Sequence, residues 1–261
     1  MSELTYSTYL KIDELLELQK PQTKPAEHDE MLFIVIHQTY ELWFKLLLQE
    51  FVKVRADFLS GDLYGAMQSF KRARMVMKSL VGQLDIIETM TPLSFNSFRA
   101  RLDSASGFQS VQFRELEFIL GYKRSDMLKH HQPNTRGYQA LWQRLREISV
   151  VDAFYDFLEH NGVDVPAVLR DRDVTLPTTE NEDVQNALVA IYRTKPDVAI
   201  LLELMTDFDE GLQEWRYRHV KMVERTIGTK SGTGGSLGVG FLRKSLFNPV
   251  FPDLWAIRSR F

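Results

Sequence analysis

Two histidines lie within the apolar stripes of predicted helices, where a polar ring requires a structural or functional explanation. The first is in "MLFIVIHQTYELWFKLLLQEF", residues 31–51, where large apolar residues recur at steps of three and four. Such steps place side chains on one face of an α-helix. His37 belongs to this face rather than to its polar flank, and its companions there are Phe33, Tyr40, Phe44, Leu47 and Phe51.

The second histidine, His219, has the same kind of position in a later segment. Its stripe consists of Leu201, Leu204, Phe208, Leu212, Trp215, His219, Met222 and Thr226. Each of two long predicted helices therefore directs an imidazole toward the interior. Two interpretations stay open at this point. Both rings are core residues with hydrogen-bonded nitrogens, or both face a metal or cofactor held between helices.

The residues around the two histidines favour some prosthetic groups over others. Zinc requires three or four protein ligands, and a di-iron centre requires Glu-x-x-His pairs on two helices. The carboxylates near His37 and His219 match neither pattern. Haem requires one proximal histidine and a pocket with a polar group on the opposite side. Trp215 suits a flat porphyrin, and Arg216 and Arg218 are either partners for its propionates or solvated side chains.

An anion site is predicted in "SFNSFRARLDSASGFQSVQFRELE", residues 94–117. Phe95 and Arg99 are one helical turn apart and precede a loop rich in serine and glycine. A guanidinium binds a carboxylate or phosphate through two parallel hydrogen bonds. The alternative is an exposed arginine beside an ordinary helix cap.

The segment "GTKSGTGGSLGVG", residues 228–240, contains six glycines. It does not match the phosphate-binding pattern G-x-x-x-x-G-K-[ST], and a predicted helix rather than a strand precedes it. We predict a mobile loop that carries Thr233 and closes over a site, because glycine supplies the backbone freedom that closure requires. A plain flexible connector is the alternative.

These side chains must be positioned by helices, because helical periodicity dominates and β-type alternation is scarce. We predict an all-α fold in which short peripheral helices surround a bundle of long antiparallel helices, with residues 1–261 forming one domain. Gly61-Asp62 separates the first two long helices, and Pro196 suits the first turn of the last one. The predicted helices cover about Glu27–Ser60, Leu63–Thr89, 94–102, 111–120, 138–147, 149–160, 181–194, Asp197–Ile227 and 241–247.

The composition is that of an ordinary globular protein of 261 residues, 44% hydrophobic and 26% charged. A formal net charge of −3 argues against nucleic acid as the main partner. The chain has no cysteine, which excludes disulfides, zinc–cysteine sites, iron–sulfur clusters and thiolate-ligated haem. The first residues lack the pattern of a signal peptide, and no run approaches the ~20 apolar residues of a membrane helix. We therefore expect a cytoplasmic protein that is not bound to a membrane.

Three long motifs resemble the tryptophan 2,3-dioxygenase family: "HDEMLFIVIHQTYELWFKLLLQE" (28–50), "FNSFRARLDSASGFQSVQFRELE" (95–117) and "EWRYRHVKMVERTIGTKSGTGGS" (214–236). The segments "YSTYL" (6–10) and "FPDLWAIRSRF" (251–261) are similar to it as well, and residues 122–190 are the least distinctive. The resemblance implies an all-helical enzyme with one haem b per subunit. It implies cleavage of the indole C2–C3 bond of L-tryptophan by O₂ to N-formyl-L-kynurenine, the first step of tryptophan catabolism by the kynurenine pathway.

The resemblance also assigns residues to the cofactor. His219 in "WRYRH" corresponds to the axial ligand of the haem iron, the metal of the site. Ser106 and Gly107 correspond to positions beside the haem edge. Trp215 and Arg114 are weaker assignments near the haem and its propionates. The cofactor supplies the oxygen chemistry, so the protein has to supply position and polarity.

A second group of residues is assigned to L-tryptophan. His37 in "FIVIHQ" corresponds to the catalytic distal residue near the indole N–H, and Phe33 packs on the indole. Arg99 pairs with the substrate carboxylate. Phe95 stands where some family members carry a tyrosine that helps to bind this carboxylate, so Arg99 is expected to carry more of that interaction here. Leu102 is expected to line the pocket.

Two assignments concern the loop and the oligomer. Thr233 in "GTGG" corresponds to a contact with the substrate ammonium or carboxylate. Tyr6 and Tyr9 are expected to reach into the pocket of a neighbouring subunit, so that residues 1–20 are exchanged within a homotetramer. Three alternatives remain: a relative acting on another indole or aromatic amino acid, a haem sensor or carrier without turnover, and a haem-free helical interaction module. No role is assigned to the adjacent pair His130 and His131, which we expect at the surface.

Overall fold

The computed structural model describes residues 4–103, 105–230, 232 and 238–261, and every regular element in these ranges is helical. The predicted all-α fold is confirmed. Three short 3₁₀ helices cover Gly107–Gln109, Ser125–His130 and Ile257–Arg260. In chain order the α-helices are α1 (Tyr6–Leu10), α2 (Ile12–Leu16), α3 (His28–Ser60), α4 (Leu63–Ile87), α5 (Pro92–Arg99), α6 (Val111–Ile119), α7 (Arg136–Arg146), α8 (Val150–His160), α9 (Ala167–Arg170), α10 (Glu182–Thr194), α11 (Pro196–Ile227), α12 (Val239–Arg243) and α13 (Pro252–Ala256).

The ends of the long helices follow local sequence signals. α3 ends at Gly61, whose φ of +72° is in the left-handed region that favours glycine. α4 begins after Asp62, whose side chain accepts a hydrogen bond from the Gly65 N–H at 2.9 Å. Pro196 is in the first turn of α11, as predicted. The predicted bounds of the long helices agree with the structure to within about two residues.

α3 and α4 run antiparallel, as the short turn between them requires. The Tyr40 hydroxyl donates to the backbone oxygen of Leu80 at 2.9 Å, near the start of α3's buried face and the end of α4. Further along α3, Glu50 accepts from Arg72 at 2.8 Å. The contact partner on α4 therefore moves toward the start of α4 as the position on α3 advances.

α4 and α11 run parallel, which the prediction of antiparallel long helices did not include. Arg74 pairs with Asp207 at 3.1 Å. Further along both helices, Asp85 pairs with Arg218 at 2.6 Å. Both positions advance together along the two helices. A short turn forces antiparallel packing, whereas more than a hundred residues separate α4 from α11 and leave their relative direction free.

The short helices complete the core around α3, α4 and α11. α8 and α6 pack on α3, α7 packs on α6, and α10 and α13 pack on α11. At the centre, Phe51 of α3 meets Phe208 of α11 edge-on at 4.8 Å between ring centroids, and both are fully buried. Edge-to-face aromatic pairs of this kind add to the free energy gained by burial. α1 and α2 contain no buried residue.

α3 is long and apolar enough to cross a membrane by length and composition alone. The expectation that no run approaches the ~20 apolar residues of a membrane helix was therefore wrong for α3. One such helix is a weak indication of a membrane span, because the central helix of a helical core passes the same test. Here α3 packs against α4, α6 and α8, and it supplies core residues such as Leu47, Phe51 and Phe58.

Candidate functional site

A cavity of about 240 Å³ lies between α3 and α11 and is closed at its sides by α5, α6 and α12. A second cavity in the described part of the chain has a volume of only about 20 Å³. His37 and His219 both line the larger cavity. The prediction that two imidazoles from distant parts of the chain meet in one interior space is confirmed.

The His37 ring is fixed in one tautomer by its own helix. Nδ1 lies 2.7 Å from the backbone oxygen of Phe33, one turn earlier. A carbonyl oxygen only accepts, so Nδ1 carries the proton and Nε2 keeps a lone pair. Burial lowers the pKa of His37, although this bond and the charge of Glu41 act in the opposite direction. The ring is therefore a neutral acceptor, and the Phe33 ring lies against it at a centroid distance of 4.1 Å.

His219 is a neutral imidazole without a hydrogen-bond partner among the described residues. Burial, with smaller contributions from His37 and Arg114, lowers its pKa to about 4. Its ring lies parallel to that of Trp215, with an interplanar angle of 10° and a centroid distance of 5.1 Å. Only a deprotonated nitrogen can ligate a metal, so this ring is ready to do so at neutral pH.

The Trp215 ring stacks on the His219 ring and is itself surrounded by aromatic rings. Phe113 of α6 lies 5.1 Å from it, and Tyr40 and Phe44 of α3 lie 6.1 and 6.2 Å from it. Its indole Nε1 is buried and has no hydrogen-bond partner among the described residues. These contacts fix the orientation of the Trp215 ring and, through it, that of the His219 ring.

The predicted anion segment reaches the same cavity. Phe95 and Arg99 of α5 line it, followed by Ser106 and Gly107 of the next loop. Phe33 lies 5.9 Å from Phe95 and 5.5 Å from Phe98 between centroids, so α5 is packed onto α3 by an aromatic cluster. This packing directs the last turn of α5 toward His37.

Other predicted residues are placed elsewhere. Leu102 is partly buried against the main core and does not line the cavity. Tyr6 and Tyr9 are exposed, with 77% and 68% of their surfaces accessible, and do not line the cavity of their own chain. Thr233 lies outside the described residues. His130 is exposed, as expected, but its ring meets that of the cavity residue Phe108 at 4.7 Å.

Two polar arrangements at the cavity were not found by sequence reasoning. The Gln112 side chain of α6 donates to the Glu41 carboxylate at 2.8 Å and to the Glu41 backbone oxygen at 2.9 Å. The Glu117 carboxylate is buried among Arg114, Arg124 and Arg216. Glu41 carried a weak signal, since it lies one turn after His37 on the same helix. Glu117 was not indicated, because Arg124 and Arg216 come from other segments and only Arg114 lies on the same helix.

The side chains that could act as ligands at the cavity favour one kind of prosthetic group over others. The described residues contain no cluster of three or more histidine, aspartate, glutamate or cysteine side chains that could hold a bare metal ion. They do contain one unpartnered neutral imidazole, an aromatic cavity around it and four arginines at its wall. A planar cofactor that needs one axial nitrogen and carries carboxylates fits these residues. Haem is such a cofactor.

The chain is similar to known proteins over nearly its whole length. The family model described as tryptophan 2,3-dioxygenase matches residues 1–145 and 181–261. A tryptophan 2,3-dioxygenase of Herpetosiphon aurantiacus is 52% identical over 98% of both chains. Those of Anaeromyxobacter dehalogenans and Rhodococcus jostii are 47% and 43% identical, each over 98% of this chain and over 96% and 91% of their own.

The segment that the family model leaves unmatched, residues 146–180, falls inside the region that resembles the family least in sequence. It contains α8 and α9, neither of which contributes a residue to the cavity. The matched segments, in contrast, contain α3, α5, α6, α11 and α12, which enclose both histidines. By its whole-length similarity and by the cavity that these helices build, the chain belongs to the tryptophan 2,3-dioxygenase family.

Proposed function

We propose that this chain is a haem-dependent dioxygenase that cleaves the indole C2–C3 bond of L-tryptophan with O₂ to give N-formyl-L-kynurenine, as the first step of the kynurenine pathway. Family membership supports the reaction. The observation that carries the proposal is the presence of two neutral imidazoles in one aromatic cavity, one unpartnered and one oriented as an acceptor. One haem b per subunit, a cytoplasmic location and a single domain over residues 1–261 are parts of the same proposal.

His219 would hold the haem iron, and haem would supply the activation of O₂. Trp215 would orient the imidazole, because the two rings are stacked and Trp215 is fixed by its aromatic neighbours. Ser106 and Gly107 would lie along the haem edge, and Arg114 would face its carboxylates. The aromatic side chains of the lining would limit the access of water to the space in which O₂ reacts.

His37 would bind the indole. Its Nε2 keeps a lone pair because Nδ1 donates to the Phe33 backbone oxygen, so it can accept a hydrogen bond from the indole N–H. The Phe33 ring beside it would pack on the indole plane. An indole nitrogen is a very weak acid, so this hydrogen bond orients the substrate and proton abstraction by His37 is not required.

The amino-acid end of tryptophan needs polar partners at the opposite end of the slot. Arg99 lines the cavity at the end of α5 and would pair with the carboxylate. Phe95, one turn earlier, brings no hydroxyl to share this role. Thr233 would contact the ammonium or carboxylate.

An absorption spectrum of the purified protein tests this proposal most directly. We expect a Soret band that shifts when L-tryptophan is added, and formation of N-formylkynurenine from the ferrous protein with O₂. L-Tyrosine and indole serve as comparison substrates. A colourless protein from haem-replete cells would refute the proposal, and a haem protein without product would identify a sensor or carrier.

Replacing His37 by alanine should retain haem and reduce kcat/KM for L-tryptophan about tenfold. The loss corresponds to one hydrogen bond to the indole, worth roughly 1.4 kcal/mol. The measurement is steady-state turnover together with the haem content of the variant. 1-Methyltryptophan lacks the N–H, so it should be affected much less by the substitution. An inactive variant with full haem content would show that His37 does more than orient the substrate.

Haem binding should persist to about pH 5 and be lost as the pH approaches 4. An ordinary histidine has a pKa near 6.5, whereas burial lowers that of His219 to about 4. Below pH 6.5 the unfolded chain gains a proton at this residue and the folded chain does not. The free energy of unfolding of the haem-free chain should therefore fall between pH 6.5 and 4. A Soret titration that has its midpoint near pH 6.5 would contradict a buried neutral ligand.

We propose further that the chain forms a homotetramer in which the segment with Tyr6 and Tyr9 enters a neighbouring pocket. The exposure of both tyrosines, and of Leu4, Leu16 and Leu18 nearby, supports this arrangement, because an isolated subunit would leave these apolar groups in water.

Mixed oligomers test this exchange. A chain without residues 1–20 should be inactive, and so should a full-length chain with His219→Ala. After co-refolding, a subunit with an intact cavity receives the segment of its neighbour, so activity should return to a substantial fraction of that of the wild type. Light scattering gives the oligomeric state. Full activity of the truncated chain alone would contradict the exchange.

A further inference from the structure

Four charged side chains form one buried cluster on the cavity wall. Glu117 of α6 accepts from Arg114 in the same helix, from Arg124 at 2.9 Å and from Arg216 of α11 at 3.3 Å. Glu117, Arg114 and Arg216 are each at most 5% exposed, and all four residues line the cavity. We call this set the Glu117 cluster.

The cluster has more positive than negative charge. Three guanidinium groups share one carboxylate in direct contact, which leaves a local excess of two positive charges. Two further carboxylates act on it only from a greater distance, Asp126 on Arg124 and Asp209 on Arg216. Buried charge without a partner is costly, so such an excess is typical of a wall that meets an anion.

Arg114 is the least compensated of the three. Glu117 is the one carboxylate that contacts it among the described residues. Burial and the charges of Arg124 and Arg216 lower the pKa of Arg114, although Glu117 raises it. Its guanidinium lies 4.9 Å from the Phe113 ring and 5.9 Å from the Phe108 ring, so aromatic faces hold it at the cavity wall.

Each arginine reaches Glu117 from a different direction. Arg216 is also anchored by donating to the backbone oxygen of Asn248 at 2.8 Å, and its guanidinium lies 5.2 Å from the Tyr122 ring. The Arg124 guanidinium lies 5.0 Å from the centroid of the same ring, and Arg124 has the most exposed side chain of the three, at 21%. Glu117 is thus the shared contact that keeps mutually repelling cations together.

We infer that Glu117 is a positioning residue: it gathers Arg114, Arg124 and Arg216 into a cationic wall by which the cavity selects a ligand that carries a carboxylate. The inference deepens the proposed function and rests on it. Two sources of this carboxylate are compatible with the wall, the rim of a porphyrin and the amino-acid substrate. Without Glu117 the three cations separate, and Arg124 has access to solvent into which it can turn.

Matched porphyrins test the wall directly. The full chain, purified without haem, is titrated with haemin and with haemin dimethyl ester, which keeps the iron and loses both carboxylates. We expect the wild type to bind haemin at least about tenfold more tightly, the effect of one or two charge-assisted hydrogen bonds. Glu117→Gln should reduce this preference to within about threefold.

Glu88→Gln is the matched control. Glu88 also pairs with two arginines, Arg218 at 3.2 Å and Arg225 at 3.6 Å, but it does not line the cavity. Its variant should keep the wild-type preference for haemin. Far-UV circular dichroism checks that each variant is folded, and Arg124→Gln replaces Glu117→Gln if the latter does not fold.

A second pair of ligands identifies the source of the carboxylate. L-Tryptophan and tryptamine, which lacks the carboxylate, are titrated into the haem-loaded wild type and Glu117→Gln. If the wild type prefers the carboxylate-bearing porphyrin and this preference depends on Glu117, the cofactor rim is the source of the carboxylate. If such a preference is found only between L-tryptophan and tryptamine, the substrate is the source.

Four outcomes would overturn the inference. In the first, Glu117→Gln weakens the binding of both ligands of each pair equally, which would be a general structural effect. The variant strengthens the preference, which would make Glu117 a neutralising charge and not a positioning one. Neither pair is discriminated by the wild type although haemin binds, which leaves the proposed function intact. If neither porphyrin binds to the wild type, the proposed function itself fails and the inference fails with it.

Discussion

His219→Ala is expected to lose haem and to reduce turnover of L-tryptophan by more than about 100-fold, since loss of groups that only support a metal ligand already costs 10–100-fold. In the structure this imidazole is neutral, lines the cavity and is stacked on Trp215. His37, the second imidazole of the described part of the cavity, also keeps a lone pair on Nε2, so His37→Ala is the comparison variant, and it should retain haem. The measurement is haem content by absorption together with the rate of product formation.

Two controls separate ligand loss from misfolding. His160→Ala removes an exposed histidine that bonds only to its own helix, at Asp156, and it should leave haem content and rate unchanged. Free imidazole added to His219→Ala should restore part of the Soret band, because the substitution leaves space beside Trp215. A normal Soret band and full turnover without imidazole would show that the axial assignment is wrong.

Asp209→Ala is expected to lower the free energy of unfolding by about 3–5 kcal/mol, although Asp209 does not touch the cavity. Its fully buried Oδ2 accepts three hydrogen bonds at 3.0 Å, from the backbone N–H groups of Val250 and Phe251 and from the indole of Trp255. Alanine leaves three buried donors without a partner. The C-terminal segment would then separate from α11, the helix of His219.

Urea unfolding monitored by circular dichroism measures this loss. Asp209→Asn keeps one acceptor oxygen and should cost about 1 kcal/mol. Asp207→Ala, two residues earlier, breaks an ion pair with Arg74 in which both side chains are more than a third exposed, and should cost less than about 1 kcal/mol. Equal losses for Asp209→Ala and Asp207→Ala would show that the three hydrogen bonds do not hold the segment.

Local rules explain why so much of the helical framework was predictable. Gly61, Asp62 and Pro196 mark helix ends through backbone conformations that depend on neighbouring residues alone. Apolar periodicity depends only on 3.6 residues per turn, so it placed His37 and His219 on inward faces. The helices α1, α2, α9 and α13 were not predicted, and α12 was predicted at 241–247 instead of Val239–Arg243, because each has at most five residues and gives too short a window for periodicity.

The burial of polar side chains could not be predicted from such local rules. Lys123 is 2% exposed and donates to the backbone oxygens of Leu145 at 3.0 Å and Val174 at 2.7 Å. Its sequence context, a turn with several charged residues, gives no sign of burial. Asp209 likewise is surrounded in the sequence by acidic residues that are typical of a solvated helix face.

The sequence by itself determined the long helices, the inward direction of both histidines and, through its motifs, the family. These depend on contacts within a few residues or on similarity along the chain. Only the tertiary structure decided that α4 and α11 are parallel, that Arg216 meets Glu117 across 99 positions, and that His37 and His219 share one cavity. The reason is physical: periodicity specifies which face of a helix is buried, but which helix covers that face is set by packing among all of them.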